Sequence, residues 1–126
     1  ESRYLKQVEE SKNKVEILAF LNGALVGIAG ITPVGRYFKV AHRAVFGISV
    51  LKDHWGAGIG SELTKACIEC AMMAGYKQIE LEVLADNVRA VSLYEKFRFR
   101  IIGSNPLGFR FRTGEYCETV YMRLEI

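Results

Sequence analysis

Three glycines, Gly56, Gly58 and Gly60, stand together in the stretch DHWGAGIGSELTKA at positions 53 to 66, immediately before a helical pattern. Glycine inside a helix costs roughly 1 kcal/mol relative to alanine, so three at a helix start need a compensating reason. A strand, a glycine-rich turn and a helix in that order leave backbone N–H groups facing an anion, and the helix dipole adds about 0.3 to 1 kcal/mol. The stretch therefore predicts either a phosphate-bearing ligand or a helix entry packed too closely for Cβ atoms.

The flanking patterns predict a mixed α/β (α+β) sheet with helices on its faces. Positions 1 to 11 read as the end of a helix. In KVEILAFLNGALVGIAGIT two β-rich runs meet at Asn22-Gly23, the pair that supplies the positive φ angles of a type I′ turn, and Pro33 and Gly35 close the second run. VAHRAVFGISVL reads as a third strand, with a bulge or bend expected at Gly47. After the glycines, Ile59, Leu63, Ala66, Cys67, Cys70 and Ala74 recur at helical spacing, and Gly75 sits where a C-terminal cap belongs. KQIELEVLADN alternates as a strand, with Ile79, Leu81 and Val83 on one face and Glu80 and Glu82 on the other. A second amphipathic helix follows in VRAVSLYEKF, and two strands joined through Thr113-Gly114 finish the chain.

Composition limits what ligand that frame serves. Half of the 126 residues are hydrophobic and a quarter charged, which fits one globular domain with a real core. The 17 basic and 14 acidic residues are scattered, without a Lys/Arg cluster on one predicted element, so nucleic acid is not expected while a small anion is compatible. No apolar run approaches the roughly 20 residues of a membrane span, and ESRYLKQVEE lacks a signal-peptide core. A cytoplasmic protein without a membrane partner is expected. Cys67 and Cys70 form a CxxC, but they fall within a helical pattern with no second ligand pair, so they read as small apolar residues on a helix face and no metal is predicted.

Absent residues narrow the phosphate ligand. A P-loop needs Lys-Ser or Lys-Thr after its last glycine, whereas Gly60 is followed by Ser61-Glu62. A dinucleotide fingerprint would need glycine at 61 or 63, which hold Ser61 and Leu63. Glu80 and Glu82 lie near the spacing of a ribose-binding acid, so a degenerate nucleotide-binding unit stays in view, although the preceding hairpin argues against it.

ISVLKDHWGAGIGSEL, followed at helix-plus-strand distance by LEVLADNVRAVSLYEKFRF, resembles the acetyl-CoA signature of the GNAT superfamily of N-acetyltransferases. The second segment resembles the family's N-x-x-A-x-x-L-Y-E-K-x-G-F pattern, and the resemblance runs from about Ile17 to the end. It implies the GNAT fold, a mostly antiparallel mixed sheet splayed at a cofactor cleft, and acetyl-CoA as acyl donor with no metal. It also implies that the backbone of Ile48, Ser49 and Val50 pairs with the pantetheine arm like an added strand. The amides of Gly56, Ala57, Gly58, Ile59, Gly60 and Ser61 would hold the pyrophosphate. Asn87 would hydrogen-bond the cofactor, and Tyr94 would point its hydroxyl at the thioester sulfur. Helix capping is the ordinary alternative for Asn87 and core packing for Tyr94.

The base is less determined. Many relatives carry a glutamate on the strand before the glycine loop, in a pattern like AELGI; here the stretch is AVFGI, with Val45. Glu82 lies five residues before Asn87 and twelve before Tyr94, the spacing of the LEV glutamate in acetyltransferases of ribosomal-protein N-terminal alanines. A catalytic base and a solvated strand-face carboxylate are equally open for it, and His42 is a weaker third choice.

The sequence departs from the family in three ways. Trp55 stands where the loop commonly begins with Arg or Gln, and Arg98 replaces the glycine of GF, which strains that turn unless its φ is negative. The chain also begins without methionine and without the strand and most of the helices that precede this segment in the family, so residues 1 to 126 are expected to form one acetyltransferase domain lacking its N-terminal portion. One acceptor wall is expected in PLGFRFRTGEY, where Phe109, Phe111 and Tyr116 alternate with Arg110 and Arg112; ordinary strand alternation explains the same pattern. The resemblance implies transfer of acetyl to a primary amine of a small molecule or a protein N-terminus, and it allows a homodimer. A non-catalytic acyl-CoA-binding regulatory module is the alternative from another class.

Overall fold

Asn22 and Gly23 take φ of 52° and 84°, the left-handed pair of a type I′ turn, and they join strand β2 (Val15–Leu21) to β3 (Ala24–Pro33). The structure is a computed structural model and describes residues 1–9, 11 and 13–126. It is a mixed α+β fold with seven strands, mostly antiparallel, and two helices. The described chain divides into two compact units, one of Glu1–Ile79 with Ile126, the other of Glu80–Glu125.

In the first unit β1 (Arg3–Glu9), β2, β3 and β4 (Arg43–Val50) lie side by side in antiparallel register. Helix α1 (Ile59–Met73) packs on β2, β3 and β4. Val15, Ile17 and Ala19 alternate into the core with Ala29, Ile31, Ala44 and Phe46, and α1 adds Ile59, Leu63, Cys67 and Ala71. The period of two on the strands and of three to four on the helix is what places both sets on one side. Gly27 lets helix and sheet approach: a Cβ there would stand 3.0 Å from Leu63 Cδ1 and 3.3 Å from Ile59 Cγ2. Helix α1 ends in a Schellman motif, with Gly75 at φ 89°, its N–H on Met72 O and the Tyr76 N–H on Ala71 O, both at 3.1 Å.

Three expectations need correction. Residues 3 to 9 form strand β1 rather than a helix end, and position 10 of that stretch lies outside the described residues. Leu, Lys, Gln and Glu give the segment helix propensity, but pairing along all of β2 overrides it, with the Tyr4 and Phe20 rings stacked at 5.0 Å across the ladder. Gly47 carries no bulge against β3; it pairs with Gly30 in unbroken register from Gly27↔Val50 to Pro33↔Ala44. In the second unit, the alternation read in residues 106 to 116 is not an alternation of burial, because Leu107, Phe109, Phe111 and Tyr116 are all exposed together with Arg110 and Arg112.

That second unit contains the greater part of β5 (Gln78–Leu84), α2 (Val88–Lys96), β6 (Arg100–Arg110) and β7 (Tyr116–Glu125), with β7 between β5 and β6. Leu81 and Val83 meet the expected inward face of β5, and Tyr94, Phe99, Val120 and Met122 are buried with them. Gly114 turns the final hairpin at φ 92°. Helix α2 ends in the same backbone motif as α1, here with Arg98 at φ 74°, its N–H on Glu95 O at 2.9 Å and the Phe99 N–H on Tyr94 O at 3.1 Å. The hydrophobic contact that accompanies such a cap is Phe99 against Tyr94, ring centroids 5.9 Å apart. No helix among the described residues is long and apolar enough to cross a membrane.

Candidate functional site

The glycine stretch leaves β4 through a short 3₁₀ turn at Lys52–His54 and enters α1 at Gly58. Gly56 and Gly58 hold φ of 82° and 84°, a backbone that L side chains rarely adopt, so both glycines are required by conformation. Gly58 is the N-cap and offers no side chain to the first-turn amides; its carbonyl accepts the Glu62 N–H at 3.0 Å. The N–H groups at the start of α1 thus open at a helix N-terminus without a side-chain cap, the donor arrangement that anions occupy. Ile48, Ser49 and Val50 form the end of β4 that leads into this loop, paired on one edge with Ala29, Ile28 and Gly27. Close packing does not explain Gly58, where a Cβ would meet only Arg3 Nη1 at 3.8 Å; its positive φ does.

Trp55 replaces a polar loop residue with a different anchor. Its indole N–H donates to Val50 O at 2.8 Å, tying the loop back to the end of β4, while the ring stays 49% exposed. The first turn of α1 is also met by Arg3, whose Nη1 donates to Glu62 Oε1 at 2.9 Å. Both partners are partly exposed, so that pair contributes modestly to stability.

The remaining candidates belong to the second unit. Asn87 is the N-cap of α2, its side-chain oxygen accepting the Ala90 N–H at 3.1 Å, so the capping role is real. Tyr94 lies in α2, 7% exposed, and burial pushes its phenol above the usual tyrosine range. Glu82 is exposed on the outward face of β5, where one carboxylate oxygen accepts the Thr119 hydroxyl at 2.6 Å. Thr119 on β7 is fully buried, and a Cβ placed at Gly108 on β6 would overlap its side chain. The sequence reading missed both residues; the only signal was Asn105-Pro106 before Leu107-Gly108, a turn-forming run inside a strand pattern.

Other sequence candidates sit apart from chemistry. His42 and Val45 are exposed on or beside β4, and the His42 carbonyl accepts the Lys77 N–H at 2.9 Å. Cys67 is buried in the α1 face and its thiol is pushed up to about 12 by desolvation, while the Cys70 thiol donates to Gln7 Oε1 at 3.4 Å. The described residues hold no group of three or more His, Cys, Asp or Glu side chains arranged for a metal ion.

Comparison with known proteins gives the arrangement a family. The model of the acetyltransferase (GNAT) family matches residues 1–99. L-amino acid N-acetyltransferase AaaT of Escherichia coli (strain K12) is 33% identical over 108 residues, which cover 85% of this chain and 65% of that protein. N-alpha-acetyltransferase 30 of Dictyostelium discoideum is 34% identical over 83 residues, covering 65% of this chain and 44% of that one. The chain therefore spans less than two thirds of the length of these relatives. Among solved structures, an acetyltransferase of the GNAT family from Streptococcus pneumoniae superposes with a TM-score of 0.88 at 35% identity, covering 93% of this chain and 70% of that chain. The yncA protein of Salmonella typhimurium, solved with its cofactor acetyl-CoA, shares the fold at a TM-score of 0.82 and 18% identity over 89% of this chain and 64% of that chain. A family model that matches most of the sequence and a GNAT structure matched at 35% identity agree with the glycine turn and the capped second helix: the chain belongs to the GNAT acetyltransferase family.

Proposed function

We propose that the protein is an acetyl-CoA-dependent N-acetyltransferase that acetylates a primary amine, and that residues 1 to 126 make up one acetyltransferase domain. The observation that carries the reading is the glycine turn, with Gly56 and Gly58 at positive φ before an uncapped helix N-terminus, in a chain that matches the family model over residues 1–99. Neighbours of the same fold were solved with acetyl-CoA, and the N–H donors of this turn fit a pyrophosphate.

On this reading the amides of Gly56 to Ser61 hold the pyrophosphate, and the backbone of Ile48, Ser49 and Val50 aligns the pantetheine arm as an added strand. Acetyl-CoA supplies the thioester that the amine attacks. Glu82 takes a proton from the incoming amine, directly or through water, being an exposed carboxylate at the family's spacing once Val45 has replaced the usual glutamate. The Asn87 side chain, whose oxygen already caps α2, donates through its NH₂ to the cofactor. Tyr94 serves the departing sulfur: the thiolate of a thiol near 8.5 is a weaker base than the phenolate of a tyrosine raised above 10, so the hydroxyl stabilises the thiolate chiefly by donating a hydrogen bond.

The names of the relatives favour an α-amine, of a free amino acid or of a protein N-terminus. Chemistry agrees most for a protein N-terminus: a peptide α-amine near 7.8 loses under about 1 kcal/mol to protonation at pH 7.4, whereas a lysine-like amine near 10.4 loses roughly 4 kcal/mol, and a free amino acid, whose own carboxylate holds the proton, falls between. The proposal includes a cytoplasmic setting, no nucleic-acid or membrane partner, and room for a homodimer. The test is release of free coenzyme A thiol with a panel of free amino acids, short peptides and lysine side-chain analogues. Thiol release specific to α-amines is expected. Acetyl-CoA that raises the melting temperature without thiol release from any amine would instead make the chain a non-catalytic acyl-CoA-binding module.

A further inference from the structure

The Thr119 hydroxyl is fully buried, yet its hydrogen-bond partner is an exposed carboxylate: Oγ1 donates to Glu82 Oε2 at 2.6 Å, from β7 to β5 within one unit. A hydroxyl has one proton to give, and giving it to one oxygen fixes the carboxylate's rotation about its last torsion. The other oxygen, Oε1, is then presented in a set direction. That is the difference between a carboxylate that samples solvent and one held in place to receive a proton.

The contact depends on an irregularity in β6. Asn105 pairs with Thr119 and Phe109 with Cys117, so β6 spends four steps where β7 spends two. The extra residues are accommodated at Pro106-Leu107-Gly108. Pro106 has no N–H to give a ladder, and the Asn105 side-chain oxygen accepts the Leu107 N–H at 3.0 Å, closing an Asx turn over the bulge. Gly108 thereby comes to lie against the Thr119 side chain, so closely that a Cβ at 108 would fall 2.7 Å from Thr119 Cβ and overlap its hydroxyl. The space for Thr119 in the rotamer that reaches Glu82 exists because position 108 has no side chain. Bulges beside functional groups commonly re-aim a side chain in this way.

We infer that Thr119 is a positioning residue for Glu82, and that the bulge with Gly108 exists to hold it there. The inference rests on the reading of Glu82 as the base. It assigns Thr119 no contact with substrate; the hydroxyl acts only through the carboxylate. Serine preserves the donor, whereas valine keeps the shape and removes it.

The test compares wild type, Thr119→Val, Thr119→Ser, Glu82→Gln and the double variant Thr119→Val/Glu82→Gln in kcat/KM, using the amine the panel identifies. Acetyl-CoA affinity and melting temperature are measured for each. Thr119→Val is expected to lower kcat/KM about tenfold with acetyl-CoA affinity within about twofold, and Thr119→Ser to stay within about threefold of wild type. The double variant should be no slower than Glu82→Gln alone, since the hydroxyl has nothing left to orient. An equal further loss in the Glu82→Gln background would mean that Thr119 acts through packing, and would overturn the inference. So would wild-type kinetics for Thr119→Val beside an impaired Glu82→Gln. A Glu82→Gln enzyme at full rate would instead remove the base, and the inference with it. If Thr119→Val does not fold, Thr119→Ala takes its place against Thr119→Ser on the same criteria. Melting temperature tests the steric part without turnover: Gly108→Ala should lower it, and Thr119→Ala added to Gly108→Ala should recover part of the loss. A Gly108→Ala variant as stable as wild type would refute the steric role.

Discussion

Helices α1 and α2 end in the same backbone motif with opposite chemistry at its left-handed position, which makes the chain its own calibration. Gly75 occupies that position after α1 at φ 89°, with nothing within 4 Å of where a Cβ would stand, and Arg98 occupies it after α2 at φ 74°. A non-glycine residue there costs about 1 to 2 kcal/mol. Arg98→Gly removes that cost but returns about 0.5 kcal/mol or more of chain freedom to the unfolded state, and it gives up about 0.3 kcal/mol of charge–dipole attraction at the helix C-terminus. The balance is a stabilisation of roughly 0.2 to 1.2 kcal/mol. With an unfolding entropy of about 2.1 cal/mol/K per residue, a chain of this length gains about 4 °C per kcal/mol, so Arg98→Gly should raise the melting temperature by about 1 to 5 °C.

Gly75→Arg reverses each contribution in open space and should lower the melting temperature by about the same amount. Thermal unfolding followed by circular dichroism, with urea titration at 25 °C as a second measure, reads both. Arg98→Asn distinguishes the causes, because asparagine tolerates the left-handed region without glycine's freedom when unfolded; it should stabilise at least partway toward glycine. A lower melting temperature for Arg98→Gly together with a lower one for Gly75→Arg would refute the reasoning. It would mean that the Arg98 side chain contributes more than its backbone costs.

Tyr94→Phe should lower kcat about tenfold and leave acetyl-CoA affinity within a few-fold, because the hydroxyl serves only the departing sulfur; unchanged turnover with chemistry rate-limiting removes Tyr94 from the mechanism. Trp55 is the single tryptophan, half-exposed and bonded to Val50 O, so titration with acetyl-CoA should change its emission, and Trp55→Phe should weaken acetyl-CoA binding about three- to tenfold. Constant emission at saturating acetyl-CoA would separate Trp55 from the loop's function. The Cys67 thiol, raised from 9.0 to about 12 by burial, ionises first in the unfolded chain, so its contribution is complete below about pH 9 and declines as pH rises toward 12. Urea unfolding between pH 8 and 10 should show stability falling in wild type and a flatter curve in Cys67→Ala; equal slopes would refute the assignment.

The strands and helices were legible where a residue type is forced by conformation. Asn22-Gly23 named its turn because only that kind of pair takes two positive φ angles cheaply, and Gly75 named the end of α1 for the same reason. Strand β1 was not legible: Arg3 to Glu9 is mostly exposed, its composition favours a helix, and what makes it a strand is the edge of β2 waiting beside it. Gly47 misled in the opposite direction, since glycine in a strand marks a bulge only when the partner register breaks, and against β3 it does not. For Arg98 the sequence stated the conflict, a missing glycine, but not its outcome. The backbone motif kept its positive φ, because the Phe99 N–H on Tyr94 O and the Phe99 ring against Tyr94 hold the turn whatever residue stands between.

The candidate site divides along the same line. Gly56, Gly58, Asn87 and Tyr94 follow one another along the chain at spacings a motif records, so their roles could be proposed from sequence. The contact of Thr119 with Glu82 joins residues 37 positions apart, and it exists only in one strand register. Successive residues of a strand point to opposite faces, so a slip of β7 by one position would bring Glu118 or Val120 opposite β5 and withdraw the hydroxyl. What pins the register is on β6, whose Pro106-Leu107-Gly108 bulge absorbs the mismatch and leaves room over Thr119. On the proposed reading, proton removal by an exposed glutamate is therefore sensitive to a strand that has no buried residue of its own. Substitutions in β6 that look like harmless surface changes should therefore reach turnover: Gly108→Ala costs stability by crowding Thr119 and also disturbs the carboxylate's direction, whereas Asn105→Ala, which loosens the turn without adding atoms against Thr119, should act on turnover more than on the melting temperature.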